Sequence, residues 1–271
     1  MSKKAWISIS IIAFVIGLLL ILFGAVFCVR NQHVMFSGDR VKTLAVTSEQ
    51  VVATADIDEG SPIFFIDKQT AVDKVERAFP YIKVVHLKTT SPITIEFQLR
   101  ERIAMYYTKF NENFILLDEE LKVLELTSVE PDMTYLDFAT LGITVNTVAG
   151  EFVGTSEQRD IAYNLFVAMY DVATFNGEYL TRDDIKDFMQ EISVDTRYTL
   201  TKHYNRLIVK TSLGITLDIA EPETELEYKL NILMSTLDSD ELTAEQKASG
   251  TLKYYLTQDN EAKAGYFNAD V

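Results

Sequence analysis

"GSPIFFIDKQTAVDKVERAFPYIKVVHLK", Gly60 to Lys88, sets an apolar tetrad, an aspartate, a helical run, an aromatic-proline stop and a second apolar run in one short stretch. That order fits either a nucleotide-binding βαβ unit or a small docking domain. Glycine separates the two. A phosphate loop needs glycines between strand and helix so that backbone N–H groups can approach the anion. Gly60 precedes the tetrad Ile63 to Ile66, and no glycine stands between the tetrad and the helix. A phosphate cradle is excluded here. Asp67 instead suits the N-cap position, where its carboxylate accepts free N–H groups of the following helix. In "KQTAVDKVERAF", Val72, Val75 and Phe79 recur at helical spacing, and Pro80 stops the helix.

Working outward, "TTSP" (Thr89 to Pro92) turns the chain into "ITIEFQLR". There Ile93, Ile95, Phe97 and Leu99 alternate with Thr94, Glu96, Gln98 and Arg100, the pattern of a half-buried antiparallel strand. His86 alternates with Val85 and Leu87, so it reads as an exposed strand histidine. Upstream, "VKTLAVT" (Val41 to Thr47) alternates as a strand, and "NQHVMFSGD" (Asn31 to Asp39) reads as a polar connector. Thr47 with Gln50 three residues on forms a capping box before the short helix "EQVVATAD". The expected unit is β-α-short β-α-β-β over residues 40–102.

Further upstream, residues 5–29, "AWISISIIAFVIGLLLILFGAVFCV", carry no charge and only Ser8 and Ser10 as polar side chains. About 20 apolar residues in a helix cross a bilayer core. A cleavable signal peptide has a shorter apolar core and a small-x-small site, whereas this run ends in "VFCVR". An uncleaved transmembrane helix is the preferred reading. Lys3 and Lys4 put the stub 1–4 in the cytoplasm and the rest outside, although Arg30 on the far flank weakens that bias. Cys28 is the only cysteine, which rules out an intramolecular disulfide. It reads as a small apolar residue at the membrane edge.

The net charge of −15 is unevenly spread. Residues 1–30 hold three basic and no acidic side chains, residues 31–102 nine and ten, and residues 103–271 thirteen and thirty. A near-neutral segment followed by a strongly acidic one suggests two domains, and the acidic surface disfavours nucleic acid and anionic lipid as partners. In the second segment the short strands expected are Tyr106 to Lys109, Phe114 to Leu117 and Lys122 to Leu126. A helix follows Thr155 or Ser156 and ends at Asn176-Gly177, and "TRDDIKDFMQEI" reads as a second helix. A meander near Tyr198–Lys202, Leu207–Thr211 and Ile215–Ile219 is joined at "HYNR" and "SLG". Leu226, Leu230, Leu233 and Leu237 mark an amphipathic helix, and "TLKYYLT" a final strand. The class is α+β throughout, with a mixed, mainly antiparallel second domain at 103–271.

No catalytic constellation emerges. His33, His86 and His203 are scattered without zinc spacing, and there is no G-x-S-x-G elbow. "LDEEL" (Leu117 to Leu121) lacks the glycine and carboxylate spacing of a calcium loop and reads as a solvated turn. Asp183 and Asp184 read as the negative first turn of a helix. No cofactor is expected. Neither is a metal, a nucleic acid or a small-molecule substrate.

The order of these segments resembles the bacterial division family FtsQ/DivIB. The carriers are "TSEQVVATADIDEGSPIFFID", "AFPYIKVVHLK", "TTSP", "ITIEFQLRERIAMYY" and "NFILLDEELKVLEL". The resemblance is specific from about residue 41 to 126 and looser beyond, most of all from 127 to 157. It implies a single-pass anchor, a polypeptide-transport-associated (POTRA) domain and a β domain, located at the division septum. It also implies a non-enzymatic scaffold that binds extracytoplasmic parts of small coiled-coil membrane proteins of the FtsB/DivIC and FtsL type. The implied contact is a C-terminal edge strand at Thr251, Leu252, Lys253, Tyr254, Tyr255, Leu256 and Thr257. Within it Leu252, Tyr254 and Leu256 face the core. A late strand after a long helix independently suits a sheet edge open to β-augmentation. Tyr255, Tyr266 and Phe267 are the expected aromatic anchors. At this point it stands equally that these rings only cover their own sheet. A membrane-anchored cell-wall enzyme and a POTRA-type chaperone or secretion module are the alternatives.

Overall fold

The computed structural model describes residues 10, 12–18, 21, 24, 26–138, 141–171, 174–175, 178–198, 203–256 and 262–268. Two compact units divide at Arg102 and Ile103.

The first unit holds a three-stranded sheet. β1 (Asn31–Ser37) runs parallel to β3 (Thr94–Glu101), and β3 pairs antiparallel with β2 (Ile82–Ser91). Helices α1 (Ser48–Ala55) and α2 (Lys68–Ala78) cover one face. Ile95, Phe97 and Leu99 are fully buried beneath them, as their alternation requires. Each such side chain contributes on the order of 2 kcal/mol. Thr47 and Gln50 form the reciprocal cap of α1. Asp67 accepts the Thr70 N–H at 3.0 Å and its hydroxyl at 2.7 Å. The first of these bonds does most to hold the Asp67 carboxyl below its ordinary range.

Three expectations for this unit are corrected. The first strand lies in the stretch read as a connector: Gln32, Val34 and Phe36 point inward from β1. Val41 to Thr47 is not a strand because its N–H groups are taken elsewhere. The Glu101 carboxylate accepts from Val41 N at 3.0 Å, Thr43 N at 2.7 Å and the Thr43 hydroxyl at 2.8 Å. The tetrad at Ile63 is a single 3₁₀ turn, Ile63–Phe65. In β2 a bulge after Val84 breaks the alternation, so Val84 is buried whereas Val85 joins His86 at the surface.

The run 5–29 falls partly outside the described residues. Its described positions 10, 12–18, 21, 24 and 26 are helical, and among the described residues no helix is long and apolar enough to cross a membrane. Its last residues belong to the folded unit. Cys28 bridges Pro62, Val29 is fully buried, and Phe27 O accepts from Ile63 N at 3.0 Å. The unit closes at Arg102, whose buried guanidinium meets the Glu76 carboxylate of α2 at 2.7 Å.

The second unit contains a nine-stranded mixed sheet. Its strands in chain order are β4 (Tyr106–Phe110), β5 (Asn113–Leu117), β6 (Val123–Thr127), β7 (Thr134–Phe138), β10 (Met189–Tyr198), β11 (His203–Thr211), β12 (Thr216–Ala220), β13 (Thr251–Leu256) and β14 (Ala262–Phe267). A separate two-stranded ribbon pairs β8 (Thr174–Phe175) with β9 (Glu178–Tyr179). The spatial order is β14-β13-β12-β11-β10-β7-β4-β5-β6. Helices α3 (Ser156–Asp171) and α5 (Leu226–Asp238) pack on one face with α4 (Arg182–Phe188), and α6 (Ala244–Lys247) is one turn. Antiparallel pairs outnumber parallel ones, which join β4 to β7, β7 to β10 and β12 to β13.

The second helix read in "TRDDIKDFMQEI" stops at Phe188, and Met189 begins β10. "HYNR" lies within β11 rather than in a turn. The helix expected to run to Asn176-Gly177 ends earlier, at Asp171, because Thr174–Phe175 is taken up as strand β8; most of Tyr198–Lys202 lies outside the described residues. The turn "LDEEL" is not solvated. Asp118 is fully buried, accepting Glu120 N at 2.9 Å and Lys122 N at 2.8 Å, and Glu119 is buried beside it. Burial, with Glu119 and Asp118 nearby, pushes the Tyr106 phenol far above its ordinary range.

Candidate protein-interaction edge

A nine-stranded open sheet has two edges, and their chemistry differs. On the inner face at the C-terminal side, Leu217, Ile219 and Leu252 are fully buried, with Tyr254, Ala264 and Tyr266 packed around them. Over them lies α5, presenting Leu226, Leu230, Leu233, Met234 and Leu237. The α5 residue Lys229 is buried, and its ammonium donates to the carbonyls of Ala220 at 3.0 Å and Glu221 at 2.9 Å. It thereby satisfies acceptors where β12 ends. Burial, then Tyr228 and Glu225, raise the Tyr254 phenol above its usual value.

Position in the sheet corrects the expected edge. β13 is an interior strand. It pairs parallel with β12 through Thr216↔Thr251, Leu217↔Leu252 and Asp218↔Lys253, and antiparallel with β14 along its length, Thr251↔Phe267 to Leu256↔Ala262. The physical reason is a further hairpin: the chain returns after β13 and adds one more strand. β14 is therefore the outer strand. Among the described residues it pairs on one side only, so backbone groups along its other side face away from the sheet. Leu252 and Tyr254 face the core as expected, and Leu256 is placed by its backbone pairing with Ala262. Thr257 lies outside the described residues.

The outer face near this edge carries a row that crosses four strands. Arg206 of β11 donates to Asp218 of β12, with Nε 2.9 Å from Oδ1 and Nη2 bonded to Oδ2. The Lys253 ammonium of β13 sits 3.6 Å from the same carboxylate and 4.8 Å from the ring centroid of Phe267 on β14. Beside the row, Tyr255 and Phe267 are 43% and 49% exposed, large for neighbouring aromatic rings. Gly265 lies between them. A Cβ there would come within 2.8 Å of the Tyr255 ring and 3.3 Å of the Phe267 ring. On the inner face Gly250 plays the corresponding part, with φ at +80° and its missing Cβ position 2.6 Å from the Tyr266 hydroxyl.

The aromatic anchors named from sequence thus divide. Tyr255 and Phe267 share an exposed patch on the sheet's outer face, whereas Tyr266 serves the core. Reading the sequence missed β14 itself, Gly265 and Asp218. Ala262, Ala264 and Tyr266 alternate with Lys263, Gly265 and Phe267, a period-two signal muted by two alanines and a glycine. Among the described residues no group of His, Cys, Asp and Glu is arranged to hold a metal. In the cleft beside α1 and α2, Lys74 lies 2.7 Å from Asp56 and Asp67 caps α2.

Residues 41–102 match the model of the FtsQ-type POTRA domain. Over 228 residues, 84% of this chain and 81% of the relative, the chain is 21% identical to cell division protein DivIB of Clostridium botulinum strain Hall. It is 24% identical over 95 residues, 35% of this chain and 36% of the relative, to DivIB of Clostridium acetobutylicum. Against DivIB of Clostridium botulinum strain Loch Maree it is 20% identical over 229 residues, 84% of this chain and 81% of the relative.

Proposed function

We propose that this chain, a member of the FtsQ/DivIB family of cell division proteins, is a scaffold without catalytic activity that assembles other division proteins outside the membrane. Residues 5–29 supply the single membrane anchor up to about Val26, with the N-terminus in the cytoplasm. The POTRA-type unit follows it, and the sheet of residues 103–271 captures the extracytoplasmic part of a small coiled-coil partner of the FtsB/DivIC and FtsL type. The observation that carries this reading is that, among the described residues, β14 is the outermost strand of the sheet, next to the exposed rings of Tyr255 and Phe267.

Strand addition supplies affinity through main-chain hydrogen bonds and specificity through side-chain pockets. β14 offers the first, and the Tyr255–Gly265–Phe267 patch the second. Aromatic anchors commonly account for 2 kcal/mol or more of binding, about thirtyfold in affinity. Capture by β13, as first read, would require displacing β14 from a six-residue ladder, so the role of Thr251 to Leu256 is to template β14.

Two measurements test the proposal. Depletion of the protein should produce filaments lacking septa, and normal division under full depletion would remove the division role. Full-length protein in detergent, carrying Phe267→Asp, should capture the partner ectodomain at least about thirtyfold more weakly than the parent at unchanged circular dichroism. Capture at parental strength would exclude the β14 face.

A further inference from the structure

The first unit exposes two neighbouring phenylalanines at one end. Phe64 and Phe65 are 64% and 86% exposed, on the 3₁₀ turn Ile63–Phe65. That turn and the residues before it are bound to the last residues of the apolar run: Gly60 N donates to Val29 O at 2.8 Å, Val29 N to Ser61 O at 2.9 Å, and Ile63 N to Phe27 O at 3.0 Å. The Phe27 and Phe64 rings lie 5.6 Å apart. Phe27 directly follows the helical Val26, so no spacer holds the turn away from whatever the run enters.

We infer that Phe64 and Phe65 seat in the interfacial layer of the bilayer, docking the first unit end-on against the membrane surface. The inference rests on the anchor reading given above. Continuity selects the bilayer over a protein partner. The exposed apolar side chains of the run, among them Ile21 and Val26, lead through Phe27 into the Phe64 ring. Charge does not drive the docking: Asp58, Glu59 and Asp67 nearby offset Arg30 and Lys68. Phenylalanine, like tryptophan and leucine, seats its apolar side chain at the headgroup/acyl boundary, and burying each strengthens attachment on the order of tenfold. Orientation follows from β1, which starts beside this end, where Arg30 N and Asn31 N donate to Ile93 O, and runs away for seven residues, roughly 20 Å. Val41, 77% exposed and bonded to Glu101, marks the opposite end.

The test uses full-length protein in phospholipid vesicles, with Trp6→Phe removing the single native tryptophan. Phe65→Trp or Val41→Trp then reports each end, read in vesicles with and without bromine on shallow acyl carbons. Indole at position 65 should shift to the blue and lose roughly half its emission or more, as expected about 5–10 Å into the headgroup boundary, while position 41 stays unquenched. Position 65 unquenched in protein that co-floats with vesicles overturns the inference and leaves the anchor intact. A blue shift at 65 without bromine quenching means that protein covers the ring, which also overturns it. Quenching at both positions rejects the end-on arrangement. Protein that fails to co-float overturns the anchor reading and this inference together.

Discussion

The two edges of the nine-stranded sheet are made of the same backbone yet are finished differently. At β6 the chain covers the start of its own edge: Val123 N donates to Glu151 O at 2.8 Å, Gly150 N to Val123 O at 2.7 Å, and Lys122 bridges Phe152. The Lys122 ammonium lies 4.8 Å from the Phe152 ring, and the Arg159 guanidinium 5.6 Å from it. At β14 no described segment pairs outside, and two aromatic rings stand exposed. A soluble domain must blunt its edges to avoid indiscriminate pairing. One edge protected and the other left open is a division of labour within a single sheet.

Removing the protection should have the largest effect. Gly150 adopts φ +92° and donates a hydrogen bond to the edge, so Gly150→Pro loses both the conformation and the donor. We expect a loss of about 3 kcal/mol or more in thermal unfolding, and a self-associating species in sedimentation absent from the parent. A sedimentation profile identical to the parent's would show that the loop does not guard β6. Next comes the side-by-side charge test. Phe267→Asp should cost about 2 kcal/mol of partner binding, whereas Leu126→Asp, equally exposed on β6, should change it less than about twofold. Equal losses at both would erase the distinction between the edges.

Smaller is the effect of Gly265→Ala. The new methyl displaces the Tyr255 ring, which is free to swing outward, so stability should fall by about 1 kcal/mol while partner capture weakens. Unchanged capture would mean that the patch geometry is unimportant. The smallest effect lies away from both edges. Burial opposes ionisation of Glu101, but hydrogen bonds from the Thr43 hydroxyl and from the Val41, Lys42 and Thr43 N–H groups outweigh it and hold the carboxyl below 4.5. A lowered folded value means stability present above pH 4.5 and lost as pH falls through the folded value. Hydrogen exchange should show protection at Val41 and Thr43 falling, by less than about tenfold, on acidification below that point. β14 should not follow the same profile, and an identical one would assign the change to global acid unfolding.

How much could be read beforehand follows from which interactions are local. The helix caps at Thr47 and Asp67, the stop at Pro80 and the face Ile95–Phe97–Leu99 are set by residues a few positions apart, and all appear in the structure. Long-range partners were hidden. Val41 to Thr47 has strand alternation, but its N–H groups are captured by a carboxylate about sixty residues away. β1 is a strand because distant β3 pairs with it, β14 because a hairpin lays it onto β13, and the apolar content of each is modest. The candidate edge was legible to within one hairpin: Tyr255 and Phe267 carried the aromatic signal, while strand order decides which backbone is exposed. The buried Asp118 reads as a surface residue until its turn is seen wrapped around it.

One feature of the first unit bears on mechanics. β1 and β3 are parallel, in register from Asn31↔Thr94 to Ser37↔Arg100. The chain enters the unit at the start of β1 and leaves at the end of β3, where Arg102 is pinned by Glu76. Tension between those two points therefore pulls the strands lengthwise past each other. Under such shear the ladder bonds share the load and must fail together, whereas a hairpin pulled from its open end would unzip one bond at a time. Resistance to force is set by the unfolding rate along that direction. A domain threaded this way transmits a pull without giving way first.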